Sequence, residues 1–228
     1  MKVNLTVPTS LDEITLGQYQ KFILIKENST DEDFINQKMI EIFCNIDLQN
    51  VAKMRMTDVM ELTEHFNKMF NTTTPLVKTF KFEDKRWGFI PNLEDISLGE
   101  HIDLESNLAD VKNIHKAMAV MFRPVKDSYK DRYTIEPYKG DEEYHELMKR
   151  LPLSYALPAT VFFWNLEIEL LRCSLAYLER ETTQISKTIL VKKLNLLNSG
   201  DGISTFINSL KEKLEDLIAL QKSHFTNA

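Results

Sequence analysis

The chain has 228 residues, of which 43% are hydrophobic and 27% are charged, and its formal net charge is −6. This length and composition suffice to bury the core of one or two globular domains. The acidic balance argues against a dedicated nucleic-acid binder, which relies on a strongly basic surface, and the most hydrophobic window, residues 156–166, is too short to span a bilayer.

The N-terminal region is predicted to contain one strand followed by helices. Polar and apolar residues alternate over residues 2–7, which is the period of a β-strand. Thr15 and Thr30 each stand before an apolar pattern of helical spacing and are expected to cap a helix. A third helix is predicted over residues 57–70, where apolar residues recur on one face.

The next region is predicted to form a β-hairpin. Two extended runs, residues 76–82 and 86–90, flank a short polar turn at residues 83–85. The N-terminal strand can pair with this hairpin. We therefore expect a small antiparallel β element within a mainly helical chain.

One sequence motif occurs twice, at residues 7–18 and at residues 90–100. Each copy has an apolar residue before a proline, then leucine, two acids, isoleucine, a hydroxyl residue, Leu-Gly, and glutamine or glutamate. The hydroxyl residue, Thr15 or Ser97, and the residue three positions later have the spacing of a capping box. The repetition favours a duplicated strand-proline-helix unit, and two similar corners of independent origin are the alternative.

A change of composition follows the second copy of the motif. A helix is predicted over residues 109–123, and Pro124 is expected to end it. Residues 126–139 are instead charged, extended and rich in tyrosine. We interpret them as a short hairpin or as an arm that a protein partner orders. The candidate interface residues of this segment are Tyr129, Tyr133 and Tyr138.

The C-terminal region is predicted to be helical throughout. A short helix over residues 141–151 precedes the longest predicted helix, residues 154–180. Leucine or isoleucine then recurs at alternating intervals of three and four residues, which is typical of a coiled-coil seam. The two seam segments are expected to form a helical hairpin or to pair with another subunit. The candidate interface residues on the seam are Leu210, Leu214 and Leu217.

The predicted fold is mainly α: a helical bundle with a small antiparallel β element, made of the N-terminal strand and the hairpin, and a C-terminal helical hairpin. The core, with its duplicated motif, is expected over residues 1–182 and the C-terminal hairpin over residues 183–228.

The sequence contains no motif that points to catalysis. A phosphate-binding loop, a dinucleotide-binding glycine pattern, an HExxH motif and a nucleophile elbow are all missing. The five histidines are scattered and lack the spacing of metal ligands. We therefore expect no catalytic residues, no metal and no cofactor.

Four segments of the sequence resemble a family of small proteins from tailed bacteriophages that infect Bacteroidota, the crAss-like phages among them. These segments are ITLGQYQKF, FIPNLEDISLGE, HKAMAVMFRP and FFWNL, and the resemblance covers about residues 1–180. Members of the family are mostly labelled as virion or tail-assembly proteins. The resemblance therefore implies a non-enzymatic role in phage morphogenesis, in the host cytoplasm during assembly and afterwards in the neck or tail of the virion.

Three roles are open. The favoured one is a structural component of the neck or tail, such as a head–tail connector or ring protein, that forms a homo-oligomer and contacts portal, neck or tail subunits. The second is a tail assembly chaperone that is absent from the mature virion. The third, a host-directed regulatory protein, is disfavoured by the acidic charge. Neither a membrane nor sequence-specific nucleic acid is expected as a partner.

Overall fold

The computed structural model of the protein describes residues 5–130, 132–140, 143–190 and 201–225. Within these residues the chain is mainly helical and carries one small antiparallel sheet of four strands, so the predicted fold class is confirmed. The chain divides into two compact units, residues 1–160 and residues 161–227. Among the described helices, none is long and apolar enough to cross a membrane.

The first unit begins with a helical block. Its helices are α1 (Leu16–Asn28), α2 (Glu32–Phe43), α3 (Leu48–Val51) and α4 (Met56–Phe70).

The block is held together by an aromatic cluster, because each long helix places aromatic residues on its apolar face. The ring of Phe43 on α2 lies 5.3 Å from that of Phe22 on α1 and 5.2 to 5.4 Å from those of Phe70 and Phe66 on α4. Tyr19 on α1 completes the cluster at 5.8 Å from Phe70.

Two β-hairpins and three further helices follow the helical block. In chain order they are β1 (Thr79–Phe82), β2 (Lys85–Phe89), α5 (Leu98–Leu108), α6 (Ile114–Met121), β3 (Phe122–Tyr129), β4 (Arg132–Ile135) and α7 (Glu143–Met148). The strands lie in the order β1-β2-β3-β4, and each pair of neighbours is antiparallel.

The first hairpin confirms the sequence prediction, although β1 is shorter than expected and β2 begins and ends one residue earlier. Glu83 and Asp84 form the turn, and both have positive φ angles, 46° and 58°. Left-handed backbone at both positions is the conformation of a type I′ turn, whose twist matches that of the two strands.

The described part of the predicted N-terminal strand is not part of the sheet. Residues 5–7 lie in no strand, and residues 2–4 lie outside the described part of the chain. His65 of α4 donates from Nε2 to the carbonyl of Pro8 (2.7 Å), which ties this part of the chain to α4. The strands that complete the sheet beside β2 are instead β3 and β4.

The prediction that Pro124 ends a helix at residue 123 is also wrong. Helix α6 ends at Met121, and Pro124 lies inside β3, where it pairs with Trp87 of β2. Proline disfavours helical backbone at the residue before it, so the chain must leave the helix before Arg123. Phe122, Arg123 and Pro124 are buried in the sheet, and this burial favours a strand over a longer helix.

Both copies of the motif start a helix in the same way. A short 3-10 turn, Leu11–Glu13 or Leu93–Asp95, is followed by an extended isoleucine and a capping box. The Thr15 amide donates to Gln18 Oε1 (2.9 Å) and the Ser97 amide to Glu100 Oε2 (2.8 Å), and in each box the hydroxyl accepts in return. Within the described residues, only the second copy follows a strand.

The second unit contains most of α8 (Leu153–Leu190) together with α9 (Asp201–Phe225). Lys211 of α9 forms an ion pair with Glu179 of α8, with 2.8 Å between Nζ and Oε1. The two helices therefore contact each other. Residues 191–200 and 226–228 of the predicted C-terminal hairpin, residues 183–228, lie outside the described part of the chain. Helix α8 is continuous through residues 182 and 183, where the sequence analysis placed a boundary.

Candidate interaction surfaces

The three candidate tyrosines of the second hairpin lie in different environments. Tyr133 on β4 is half-buried, and its hydroxyl donates to the carbonyl of Phe89 (2.7 Å). Its ring covers Gly88 so closely that a Cβ added there would lie 2.6 Å from Tyr133 Cε2. Burial raises the pKa of the Tyr133 phenol. This side chain fastens the second hairpin to the first.

Tyr138 also makes internal contacts. Its hydroxyl donates to the carboxylate of Asp103 on α5, and its ring lies 5.9 Å from the guanidinium of Arg123. Burial and the Asp103 carboxylate both raise the pKa of Tyr138. Tyr138 therefore links the segment after β4 to α5 and β3.

Tyr129 is the exposed member of the three. It lies at the end of β3, beside the turn residue Lys130, and 74% of it is accessible to solvent. The Lys130 ammonium lies 5.5 Å from the centre of its ring. Of the predicted tyrosine interface, this residue is the one available to a partner.

The candidate residues on α9 share one face of that helix. Leu210, Leu214 and Leu217 are half-buried, and Ile207 on the same stripe is buried, whereas the positions between them are mostly exposed. A stripe of this kind is expected of a seam that a neighbouring helix covers in part.

An ion pair is buried beneath the second copy of the motif. Arg123 Nη2 lies 2.6 Å from Glu100 Oε1. Burial is the largest single effect on the pKa of Glu100, and it acts to raise that pKa. The hydrogen bonds from Ser97 and the charge of Arg123 together outweigh burial, so the pKa of Glu100 is lowered. The capping box of α5 is thus anchored to β3.

Sequence reasoning missed an exposed apolar surface on α5. Leu98 is 76% exposed and Ile102, one helical turn later, is 51% exposed, while Leu93 and Ile96 beside them are half-buried. We call these four residues the α5 face. In the motif, Leu98 occupies the position of the buried Leu16, so the pattern by itself predicts a core residue. The exposure depends on what packs against each copy.

A second exposed apolar pair lies on α4. Met56 and Met60 are one turn apart, and each is about 60% exposed. Their spacing of four residues is visible in the sequence, but the stripe formed by Phe66 and Met69 is the one that faces the core.

A buried polar contact joins α1 to the segment before α6. Gln20 Nε2 donates to the carbonyl of Val111 (2.6 Å) and lies 3.1 Å from Nδ1 of His115. Since the amide donates, His115 accepts at Nδ1 and is neutral. Burial, followed by the nearby charge of Lys149, lowers the pKa of His115 to about 4. Within the described ranges, no three His, Cys, Asp or Glu side chains are grouped so as to hold a metal ion.

No protein-family model, curated protein or solved structure matches the chain. The fold and the surfaces above define a mainly helical protein with exposed apolar faces on α4 and α5.

Proposed function

We propose that the protein is a non-enzymatic morphogenesis protein of a tailed bacteriophage, and that it is a structural component of the neck or tail, such as a head–tail connector or ring protein. The observation that carries this proposal is the α5 face, where Leu98 and Ile102 are exposed one turn apart. Contiguous exposed apolar residues mark sites of protein contact. The resemblance of residues 1–180 to phage virion and tail-assembly proteins supports the phage setting.

A ring component needs two different surfaces on each copy, so that a head-to-tail contact can repeat until the ring closes. The protein has separate candidates for such surfaces, in the α5 face, the exposed Tyr129 and the α9 seam. Portal, neck or tail subunits are the proposed partners along the axis of the particle, and assembly takes place in the host cytoplasm.

The test is quantitative mass spectrometry of gradient-purified particles against crude lysate of infected cells, with copies counted per portal subunit. A fixed ratio near that of the portal is expected for a ring in the neck or tail. Abundance in the lysate with absence from particles would overturn the structural role.

The second candidate function is a tail assembly chaperone that leaves before the particle matures. It is supported by Met56 and Met60, because exposed methionines adapt to varied apolar surfaces. A chaperone should co-purify with a tail subunit from lysate, and replacing both methionines with lysine should remove that complex. Absence from particles and from tail-subunit complexes alike would instead favour a host-directed regulatory protein.

A further inference from the structure

The first copy of the motif is covered by residues 149–153 of the same chain. The first amides of an α-helix have no partner within the helix. Here the Gly17 amide donates to the carbonyl of Lys149 (2.7 Å), and the Leu16 amide donates to that of Leu151 (2.8 Å). The covering residues therefore supply the acceptors that the start of α1 lacks.

Apolar burial accompanies these hydrogen bonds. Ile14 and Leu16 of the motif are fully buried, as are Leu151 and Leu153 of the covering residues. The Leu153 amide donates to the carbonyl of Ile14 (2.8 Å), so the two stretches of backbone bond in both directions. They run antiparallel to each other.

The contact uses only part of the covering residues. The charges of Lys149 and Arg150 are directed away from the motif, since Lys149 pairs with Glu146 (2.6 Å) and Arg150 pairs with Glu83 (3.4 Å). Pro152, between the two leucines, has no amide to donate. The contact therefore requires two leucines separated by one residue, together with the backbone around them.

Both copies have a glycine at the second position of the helix, and the two glycines differ in their surroundings. A Cβ at Gly17 would lie 3.0 Å from the Lys149 carbonyl oxygen, so the covering backbone approaches this glycine closely. A Cβ at Gly99 would meet nothing within 4 Å. The close approach that a glycine permits is thus used in the first copy and open in the second.

The second copy has the same local structure, but no described residues cover it. Leu98, the counterpart of Leu16, is exposed, and Ile96, the counterpart of Ile14, is only half-buried. Within the described ranges, neither the Leu98 amide nor the Gly99 amide has an acceptor. The α5 face thus presents the donors and the apolar side chains that the first copy buries.

We propose that the α5 face is the docking site of a different protein, which covers it with a Leu-Xaa-Leu segment that runs antiparallel to the motif. The amides of Leu98 and Gly99 donate to carbonyls of the incoming segment, and its two leucines pack on Ile96 and Leu98. A second copy of the chain is a poorer occupant, because residues 151–153 of each copy already cover its own first motif.

This contact rests on the proposed function, in which the α5 face binds another subunit, and it specifies the kind of segment that binds. The two proposals can fail separately. Mass spectrometry of particles tests the place of the protein in the virion whatever segment docks on it. A peptide titration tests the docking of the segment whatever particle the protein belongs to.

The test is a nuclear magnetic resonance titration of the full, isotope-labelled chain with a synthetic peptide of residues 147–155, LMKRLPLSY. The amide signals of Leu98 and Gly99 are expected to shift and to saturate with a dissociation constant of about 1 mM, because a free peptide loses conformational entropy on docking. The amide signals of Leu16 and Gly17 should not move, because these amides already have acceptors.

Two chain variants and one altered peptide complete the test. Gly99→Ala is expected to raise the dissociation constant at least tenfold, because the new methyl group occupies the place of the incoming carbonyl. The melting temperature of this variant should be unchanged or higher, since alanine favours the helix. Met60→Ala, on the exposed pair of α4, is the matched control and should bind the peptide as the natural chain does. A peptide with serine in place of Leu151 and Leu153 should not bind.

Three outcomes would overturn the proposal. The first is the absence of shifts at Leu98 and Gly99 with up to about 5 mM peptide. The second is equal binding of the peptide to the natural chain and to the Gly99→Ala variant. The third is a shift of the same two signals when the natural chain alone is concentrated, which would make a second copy of the chain the occupant.

Discussion

Arg123 and Glu100 form an ion pair in which both side chains are only 9% exposed, and this pair joins the start of α5 to β3. A buried charge that loses its partner is strongly destabilising, whereas an apolar pair of similar volume can replace both charges at little cost. The pair is therefore a sensitive probe of how the second copy of the motif is fastened to the sheet.

We expect Arg123→Ala to lower the free energy of unfolding by about 3–5 kcal/mol, because it leaves the Glu100 carboxylate buried and unpaired. Urea unfolding followed by circular dichroism measures the change. The double variant Glu100→Gln with Arg123→Met should recover much of the loss. Lys68→Ala breaks the exposed pair of Lys68 with Glu64 and should have a far smaller effect. Equal effects at the two sites would contradict this prediction.

Stability is expected to fall as the pH is lowered from about 6.5 to about 4, because His115 is held neutral in the folded chain. Its pKa is about 4 there, against an ordinary value of 6.5, so in this window the unfolded chain binds a proton that the folded chain does not. Neutral His115 makes its full contribution to the free energy of unfolding above pH 6.5. Below that pH, at most about 1.4 kcal/mol of this free energy is lost per pH unit.

The measurement is urea unfolding at a series of pH values for the natural chain and for His115→Gln. The variant cannot titrate at this position, so its stability should change less between the two pH limits. The matched control is His101→Gln at an exposed position, which should keep the pH dependence of the natural chain. Identical profiles for the His115 variant and the natural chain would refute the assignment.

The glycines of the two motif copies should respond to alanine in opposite directions. Gly17→Ala places a methyl group 3.0 Å from the Lys149 carbonyl oxygen, so we expect it to destabilise the chain by roughly 1–3 kcal/mol. Gly99→Ala has open space and should stabilise the dilute chain by up to about 1 kcal/mol. Thermal unfolding at low protein concentration compares the two, and a loss of stability in both variants would contradict the open state of the second copy.

Alanine substitutions at Tyr133 and Tyr129 should have very different effects on the free energy of unfolding, because one side chain packs inside the second hairpin and the other is exposed. Tyr133→Ala is expected to lower the free energy of unfolding by about 2 kcal/mol or more, because the ring packs on Gly88 and its hydroxyl bonds to the Phe89 carbonyl. Tyr129→Ala should stay within about 0.5 kcal/mol of the natural chain. A large loss from the Tyr129 change would show that this side chain also belongs to the core.

The sequence by itself determined the elements that depend on neighbouring residues. The capping boxes at Thr15 and Ser97 form as their spacing predicts, since both partners lie within one helical turn. The turn at Glu83 and Asp84 is likewise local, because a short polar run between two extended runs predicts a tight hairpin, although Lys85 of that run belongs to β2. The α9 stripe follows from helical periodicity alone.

The tertiary structure decided which of these elements are covered and which are open. Pro124 enters a strand because β2 offers pairing partners, and Tyr133 is structural because Gly88 faces it from another strand. The two motif copies are nearly the same in sequence, yet residues 149–153 bury one and leave the other exposed. Burial depends on contacts between residues far apart in the chain, and such contacts leave no periodic pattern for local reasoning to detect.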